Sequence, residues 1–196
     1  MIIGLTGGMA CGKSTAGAFL KQAGWGAIDA DRVVHHLLSH DPKLSSQVVA
    51  QLGPEVGGNL SAMLDKKKIA AVVFNDAAKL ARLEALLHPR VHAYWQNAVA
   101  ANPTMPWAIE LPLLFENHLE SHFDYTVCIA ADSQKQWSRL ADRGLTSQEA
   151  QARIQHQLPL EDKIKYADYV VLNNGSLKQF KAYILELSQQ LLLKHT

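Results

Sequence analysis

The chain has 196 residues, of which 48% are hydrophobic and 19% charged, and its formal net charge is +1. This length and composition suit one domain with a full core and room for small inserted subdomains. A near-neutral charge without a basic stripe argues against nucleic-acid binding. The two cysteines provide neither a disulfide framework nor metal-ligand spacing. The apolar runs are too short for a signal peptide or a membrane span, so we expect a cytoplasmic protein.

Short apolar runs alternate along the chain with segments of helical periodicity. The runs that predict strands are residues 2–6, 25–29, 107–111, 125–130 and 169–172. Helices are predicted for residues 13–23, from about 31 onward, for 133–143, after the capping-box pattern Thr146-x-x-Glu149, and for 176–194. Nearly all-apolar strands separated by helices indicate a parallel sheet covered on both faces. The predicted fold class is therefore α/β, with a five-stranded parallel sheet flanked by helices.

The alternation of predicted strands and helices is interrupted by a segment of about residues 33–102, which contains almost nothing that resembles a strand. Apolar residues recur there at spacings of three and four, which is the pattern of amphipathic helices. We interpret this block as a helical insertion in a single domain of residues 1–196, and we expect it to carry substrate contacts. A helical bundle with only a packing role is the alternative.

Residues 7–14, GGMACGKS, match the phosphate-loop pattern G-x-x-x-x-G-K-[ST] between a predicted strand and a predicted helix. Glycines let the backbone approach a phosphate chain, and successive N–H groups then form an anion nest at the start of the helix. Lys13 is predicted to contact the β- and γ-phosphates, and the Ser14 hydroxyl to bind Mg²⁺. Cys11 lies near the same helix N-terminus, a position that favours a lowered thiol pKa. The alternative is a glycine-rich turn that matches the pattern by accident. The loop alone does not identify the reaction, because kinases, GTPases and ATPases share it.

Three acids stand near the ends of predicted strands. Asp29 and Asp31 are two residues apart, so on an extended segment both carboxylates would face the same side, beyond the carboxyl end of the strand. One would take a proton from a substrate hydroxyl and the other would hold Mg²⁺ through water, unless one of them caps the following helix. Glu110 lies at the end of the strand at 107–111, where a Walker-B-type acid would be close to Mg²⁺; an ordinary strand-end acid is the alternative.

Arg139 and Arg143 lie four residues apart and share one face of a predicted helix. In a phosphoryl transferase such arginines close over the triphosphate and spread the developing charge. A solvated surface pair is the alternative. After the last strand, Asn173-Asn174-Gly175 predicts a turn, and its exposed amides offer partners for a base edge.

Together these motifs resemble those of the dephospho-CoA kinase family over nearly the full chain. The matching segments are Leu5-Thr6-Gly7-Gly8, Ile28-Asp29-Ala30-Asp31, Leu64-Asp65 with Val73-Phe74, Leu83-Glu84 with His88-Pro89-Arg90, Pro112-Leu113-Leu114-Phe115-Glu116, Gln136-x-x-Arg139 with Arg143, Arg153-Ile154-x-x-Gln157, and Ala167-Asp168 with Asn173-Asn174-Gly175. The resemblance implies ATP-dependent phosphorylation of the ribose 3′-hydroxyl of dephospho-CoA, the last step of coenzyme A biosynthesis. It also implies a P-loop core like that of nucleoside monophosphate kinases, an inserted helical CoA domain and a helical lid at about 136–160.

The resemblance implies a role for each site residue. Asp31 becomes the base for the 3′-hydroxyl, and Lys13 with the lid residues Arg139 and Arg143 acts on the phosphates. The residues implied to bind ATP are Gly8, Met9, Ala10, Cys11, Gly12, Lys13, Ser14, Thr15, Arg139, Asn173 and Asn174. Those implied on the acceptor side are Asp31, Lys66, His88, Arg90, Pro112 and Leu113, and those implied to bind Mg²⁺ are Ser14 and Glu110.

The chain departs from the family pattern at a few positions. Ala10-Cys11 replaces the usual Gly-Ser, Lys66 stands where arginine is usual, and Glu110 stands where aspartate is frequent. The alternatives are a P-loop kinase for another small acceptor, such as a nucleoside monophosphate, and a nucleotide-dependent switch protein. The chain has no N-K-x-D motif, which counts against a GTP switch. The expected partners are ATP and dephospho-CoA, with no nucleic acid and no membrane, and we expect a monomer or a weak homo-oligomer.

Overall fold

The computed structural model describes residues 1–57, 64–73 and 76–195, except for the side chain of Lys66. Phe74, which belongs to one of the matching segments, lies outside the described residues. The chain divides into two compact units, one formed by Met1–Asp29 with Asn102–Thr196 and the other by Ala30–Ala101. No helix in the described ranges is both long and apolar enough to cross a membrane.

A parallel sheet forms the centre of the first unit. Its strands are β1 (Ile2–Gly7), β2 (Gly26–Asp29), β3 (Trp107–Glu110), β4 (Tyr125–Ala130) and β5 (Tyr169–Leu172). Their order across the sheet is β2-β3-β1-β4-β5, and every neighbouring pair is parallel. The central strand β1 is buried from Ile3 to Gly7, which explains its nearly continuous apolar sequence. The predicted fold class and all five predicted strands are confirmed, with strand ends shifted by at most one residue.

Helices connect the strands and build the second unit. They are α1 (Lys13–Gln22), α2 (Ala30–His40), α3 (Pro42–Leu52), α4 (Lys66–Val73), α5 (Ala77–Ala101), α6 (Ser133–Asp142), α7 (Ser147–Gln155), α8 (Leu160–Tyr166) and α9 (Leu177–Lys194). In the first unit, α1 and α9 pack together, and Leu20 and Phe180 share a core with Ile3 and Leu5 of β1. This core covers the centre of the sheet.

The capping box predicted before α7 is confirmed. The Glu149 carboxylate accepts hydrogen bonds from the Thr146 backbone N–H at 2.9 Å and from the Thr146 hydroxyl at 2.8 Å. These hydrogen bonds hold the pKa of the Glu149 carboxyl below its usual value. The helix therefore begins where the sequence pattern places it.

The second unit, Ala30–Ala101, consists of helices α2 to α5. Side chains from these four helices form one apolar core, which includes Leu38, Leu44, Val48, Leu52, Ile69, Val73, Leu83 and Leu87. Apart from an isolated antiparallel bridge between Gly57 and Leu64, its described residues contain no β-structure. The unit is inserted between β2 and β3, which are neighbours in the sheet.

Candidate active site

The phosphate loop connects β1 to α1 and places backbone N–H groups at the start of that helix. Gly12 immediately precedes α1 with a φ of 108°, and a Cβ there would overlap the side-chain amide of Asn173. Only glycine suits this position, because the backbone conformation and the surroundings both exclude a side chain. Ala10 also has a positive φ, 58°, a conformation that costs an L-residue about 1–2 kcal/mol. The loop is therefore a strained turn that its neighbours must hold in place.

The Lys13 side chain folds back over this loop. Its Nζ donates hydrogen bonds to the carbonyl oxygens of Gly7 and Gly8, each at 3.0 Å. The ammonium group and the positive end of α1 thus lie at the same turn, and both favour an anion there. Ser14, the second residue of α1, is exposed, and Thr15 is half-buried. The first turn of α1 therefore presents a hydroxyl beside an anion site.

Arg139 and Asn173 hold the loop through its carbonyl groups. Arg139 Nη1 donates a hydrogen bond to Ala10 O at 3.2 Å, and Nη2 donates one to Asn173 O at 3.0 Å. Asn173 Nδ2 donates a hydrogen bond to Cys11 O at 2.8 Å. These bonds keep Ala10 in its strained conformation and fix the direction of the adjacent peptide groups. These hydrogen bonds were not predicted, because the sequence shows only the spacing of the arginines on their helix and not which loop they reach.

A cavity of about 200 Å³ lies beside the loop. Its described lining consists of Ala10, Gly12, Thr15, Arg139, Arg143, Asn173, Gly175 and Leu177. The structure thus brings both predicted arginines together with the loop. Asn174 has another partner, because its Oδ1 accepts a hydrogen bond from Asp132 N at 2.8 Å and its Nδ2 donates one to Asp132 Oδ1 at 2.7 Å. The Asn174 amide therefore joins two loops of the first unit.

The expectation of a lowered thiol pKa for Cys11 is wrong. Its side chain is fully buried, and this burial raises the pKa of the thiol, although Lys13 and Arg139 act in the opposite direction. Cys128, in β4, is also buried, and burial raises its pKa to about 12. Both side chains are therefore neutral thiols at neutral pH. Cys11 contributes packing to the loop and not a nucleophile.

Glu110 and Asp29 lie at the carboxyl ends of neighbouring strands. The register of β2 and β3 sets Asp29 opposite Glu110, so the two side chains leave the sheet on the same side. Glu110 is only 6% exposed, and its carboxylate packs against α1 so closely that a Cβ on Gly17 would overlap its Oε1. Ser14 lies one turn before Gly17 on the same face of α1. The Glu110 carboxylate therefore lies against the face of α1 that carries Ser14, and Asp29 leaves the sheet on the same side as Glu110; oxygen ligands of this kind suit Mg²⁺.

Asp31 belongs to the second unit and lies in a helix. β2 ends at Asp29 and α2 begins at the next residue, so Asp31 stands in the first turn of α2. The prediction that Asp29 and Asp31 lie on one extended segment is therefore wrong, because the strand ends at Asp29 and its side-chain alternation does not continue into the helix. Within the second unit, Asp31 and His35 line a hollow together with aliphatic side chains of α2 and α4.

The other predicted acceptor-side residues of the second unit have different surroundings. His88 is exposed on α5, and Lys66 begins α4. Arg90, also on α5, donates a hydrogen bond to Gln47 Oε1 at 2.5 Å, and its Nε lies 4.0 Å from a carboxylate oxygen of Asp41. Arg90 therefore links α5 to α3 and its N-terminal cap. The described lining of the hollow contains neither His88 nor Arg90.

A buried ion pair fixes the segment that follows β3. Lys163 of α8 is 0% exposed, and its Nζ donates a hydrogen bond to Pro112 O at 2.6 Å and lies 2.8 Å from Glu116 Oε1. The same carboxylate oxygen accepts a hydrogen bond from Leu158 N at 2.8 Å. The pair thereby holds the loop that carries Pro112 and Leu113, two half-buried residues. Sequence reasoning missed Lys163, because a lysine on a short charged helix indicates an exposed position.

Replacing Lys163 with Met is expected to destabilise the protein by about 3–5 kcal/mol, because the Glu116 carboxylate would stay largely buried without its cation. Chemical denaturation measures the change in the free energy of unfolding. Lys165→Met is the matched control, since Lys165 lies on the same helix with an exposed ammonium group, and its denaturation midpoint should stay close to that of the unchanged protein. Equal midpoints for the two variants would show that the buried pair does not contribute to stability.

Comparisons with known proteins point to one family over nearly the whole chain. The family model described as dephospho-CoA kinase matches residues 1–179. A dephospho-CoA kinase of Geobacillus kaustophilus is 35% identical over 194 residues, which cover 97% of this chain and 96% of that protein. A crystal structure of a Thermus thermophilus protein is 31% identical, with a TM-score of 0.83 over 96% of this chain and 97% of that one.

At the level of the fold, a dephospho-CoA kinase from Campylobacter jejuni is similar with a TM-score of 0.72, at 22% identity, over 100% of this chain and 98% of that one. Because the sequence identity of this pair is low, the match supports only the similarity of the two folds. The family match over residues 1–179 and the Geobacillus match over 97% of the chain confirm the resemblance found in the sequence. The chain belongs to the dephospho-CoA kinase family.

Proposed function

We propose that this protein transfers the γ-phosphoryl group of ATP to the ribose 3′-hydroxyl of dephospho-CoA, giving CoA and ADP. The observation that carries the proposal is the phosphate loop, where Lys13 and the N-terminus of α1 form an anion site in a chain of this kinase family. The reaction is the last step of coenzyme A biosynthesis. It would take place in the cytoplasm, which holds the pool of ATP. A monomer or a weak homo-oligomer stays a prediction.

The first unit supplies the ATP side of this reaction. The backbone N–H groups of loop residues 8–15 bind the phosphates, and Lys13 offsets the charge that develops on the γ-phosphoryl group. The cavity beside the loop takes the adenine ring of ATP, and the two arginines that line it would act on the phosphates. Arg139 also has a positioning role, because it holds the carbonyl of Ala10 and with it the shape of the loop.

Mg²⁺ is the metal that fits the oxygen ligands beside α1. Ser14 and Glu110 are the ligands that the resemblance implies, and Asp29, one of the two acids that the sequence offers for holding Mg²⁺ through water, lies opposite Glu110 in the sheet. Mg²⁺ in nucleotide enzymes is usually held by one or two carboxylates and by the phosphates of the substrate, so this set of groups is sufficient. When bound, the ion neutralises negative charge on the β- and γ-phosphates.

The second unit supplies the acceptor side. Asp31 takes the proton of the 3′-hydroxyl as that oxygen attacks the γ-phosphorus. A bond forms between the ribose oxygen and phosphorus, the bond to the β–γ bridging oxygen breaks, and the electron pair leaves with ADP. Lys66, His88, Arg90, Pro112 and Leu113 stay predicted acceptor contacts. Closure of the lid at about 136–160 would exclude water and suppress hydrolysis of ATP.

A product assay tests the proposal. Purified protein is incubated with ATP, Mg²⁺ and dephospho-CoA, and mass spectrometry is expected to show one added phosphate that phosphorus NMR assigns to the 3′-oxygen. Parallel incubations replace dephospho-CoA with AMP or with buffer, and ADP formation there is expected to be much slower. Preferential phosphorylation of AMP would indicate the alternative kinase. ADP release that does not depend on an acceptor would indicate an ATPase or a switch protein.

A further inference from the structure

The second unit contains a hollow of about 330 Å³ bordered by α2 and α4. The residues on which the inference depends are Asp31, Val34, His35 and Leu38 of α2 and Ile69 and Val73 of α4. Aliphatic side chains make most of this surface apolar. Asp31 and His35 lie one turn apart on the same face of α2 and form its polar edge. A volume at the lower end of ligand pockets suits one ring system and not a whole coenzyme.

The chemistry of the hollow distinguishes among the parts of the proposed acceptor. A diphosphate needs cations, and the described lining residues include no lysine or arginine. The amide groups of a pantetheine arm need several hydrogen-bond partners when they are buried, whereas the described lining offers one imidazole and one carboxylate. An adenine ring fits this surface better, because its faces suit aliphatic side chains and its polar atoms lie along its edge.

We propose that this hollow is the subsite for the adenine ring of the acceptor, and that His35 determines specificity by hydrogen-bonding to the edge of that ring. The proposal rests on the kinase activity proposed above. Asp31 and His35 are four residues apart, a rise of about 6 Å along α2. A nucleoside spans this distance, so its ribose reaches Asp31 while its base enters the hollow. Ile69 and Val73 of α4 then pack against the faces of the base.

The variant His35→Leu tests the subsite by steady-state kinetics. It is expected to raise KM for dephospho-CoA about tenfold, the contribution of one hydrogen bond, while kcat and KM for ATP change less than twofold. His36→Leu is the matched control, because His36 is the next residue on α2, is exposed and does not line the hollow, and its constants should not change. Ala70→Leu narrows the hollow from α4 and is expected to raise the same KM.

Two altered acceptors identify the bound group. With hypoxanthine in place of adenine, the unchanged protein should show a raised KM, whereas His35→Leu should treat the two acceptors alike because the contact is already lost. With AMP, which lacks the pantetheine arm, His35→Leu should cause the same fold-increase in KM as with dephospho-CoA.

Other results would overturn the subsite proposal. If His35→Leu raises KM for dephospho-CoA but not KM for AMP, the hollow holds the pantetheine arm. If neither His35→Leu nor Ala70→Leu changes KM for dephospho-CoA, the hollow holds no part of the acceptor. If replacing adenine with hypoxanthine raises KM by the same factor in the unchanged protein and in His35→Leu, His35 does not contact the base. If the unchanged protein fails to phosphorylate dephospho-CoA, the kinase proposal fails before the subsite is tested.

Discussion

Asp31→Asn is expected to lower kcat for phosphorylation of dephospho-CoA by about 10²–10⁴-fold, the usual contribution of a general base. The substitution preserves the size of the side chain and removes its ability to accept the proton. ATP affinity, measured by isothermal titration calorimetry, should stay nearly unchanged, because the groups proposed to bind ATP belong to the first unit and Asp31 to the second. A variant with full turnover would show that Asp31 is not the base.

Asp29→Asn is the control for this experiment, because Asp29 lies opposite Glu110 in the sheet and not on α2. Its replacement is expected to raise the Mg²⁺ concentration needed for half-maximal activity, since one oxygen ligand is weakened. Asp31→Asn should leave that concentration unchanged. If both variants shift the Mg²⁺ requirement equally, the two carboxylates do not have the separate roles assigned to them.

The second large effect is expected for Lys13→Met, which should lower kcat/KM for ATP by about 10²–10³-fold. The Lys13 ammonium is held over the phosphate loop by the carbonyls of Gly7 and Gly8, so it is already in place when charge develops on the transferred group. Steady-state kinetics with varied ATP measures the loss. Lys21→Met is the matched control, because Lys21 is exposed in the last turn of the same helix. Similar activities of the two variants would contradict a role for Lys13 in phosphoryl transfer.

The strands and the helix starts of this fold can be predicted from local sequence. A strand of a parallel sheet is covered on both faces, so β1 and β4 are continuous apolar runs, and the capping box at Thr146 is a local signal. The order of the strands is not a local property. β1 lies between β3 and β4 because of pairings such as that of Ile2 with Trp107, which no window of neighbouring residues contains.

The phosphate loop can also be predicted from sequence, but the partners of its residues cannot. Arg139 reaches Ala10 O across 129 positions of the chain, and Lys163 reaches Pro112 O across 51. These contacts depend on the packing of whole helices, which residue spacing does not reveal. For Asp31, the sequence predicts the end of the strand at Asp29 and a helix from about residue 31, and the helix in fact begins one residue earlier, at Ala30. This difference of one residue decides whether Asp31 belongs to the extended segment or to the helix.

The central place of β1 has a consequence for synthesis of the chain on the ribosome. This strand is translated before its partners β3 and β4, which begin only at Trp107 and Tyr125. At translation rates of roughly 5–20 residues per second, about 5–20 seconds pass between the emergence of Ile2 and that of Trp107. During this interval Ile3 and Leu5 have not yet met the strands that bury them in the finished protein. The apolar side chains of β1 are therefore open to aggregation until β3 and β4 have been translated.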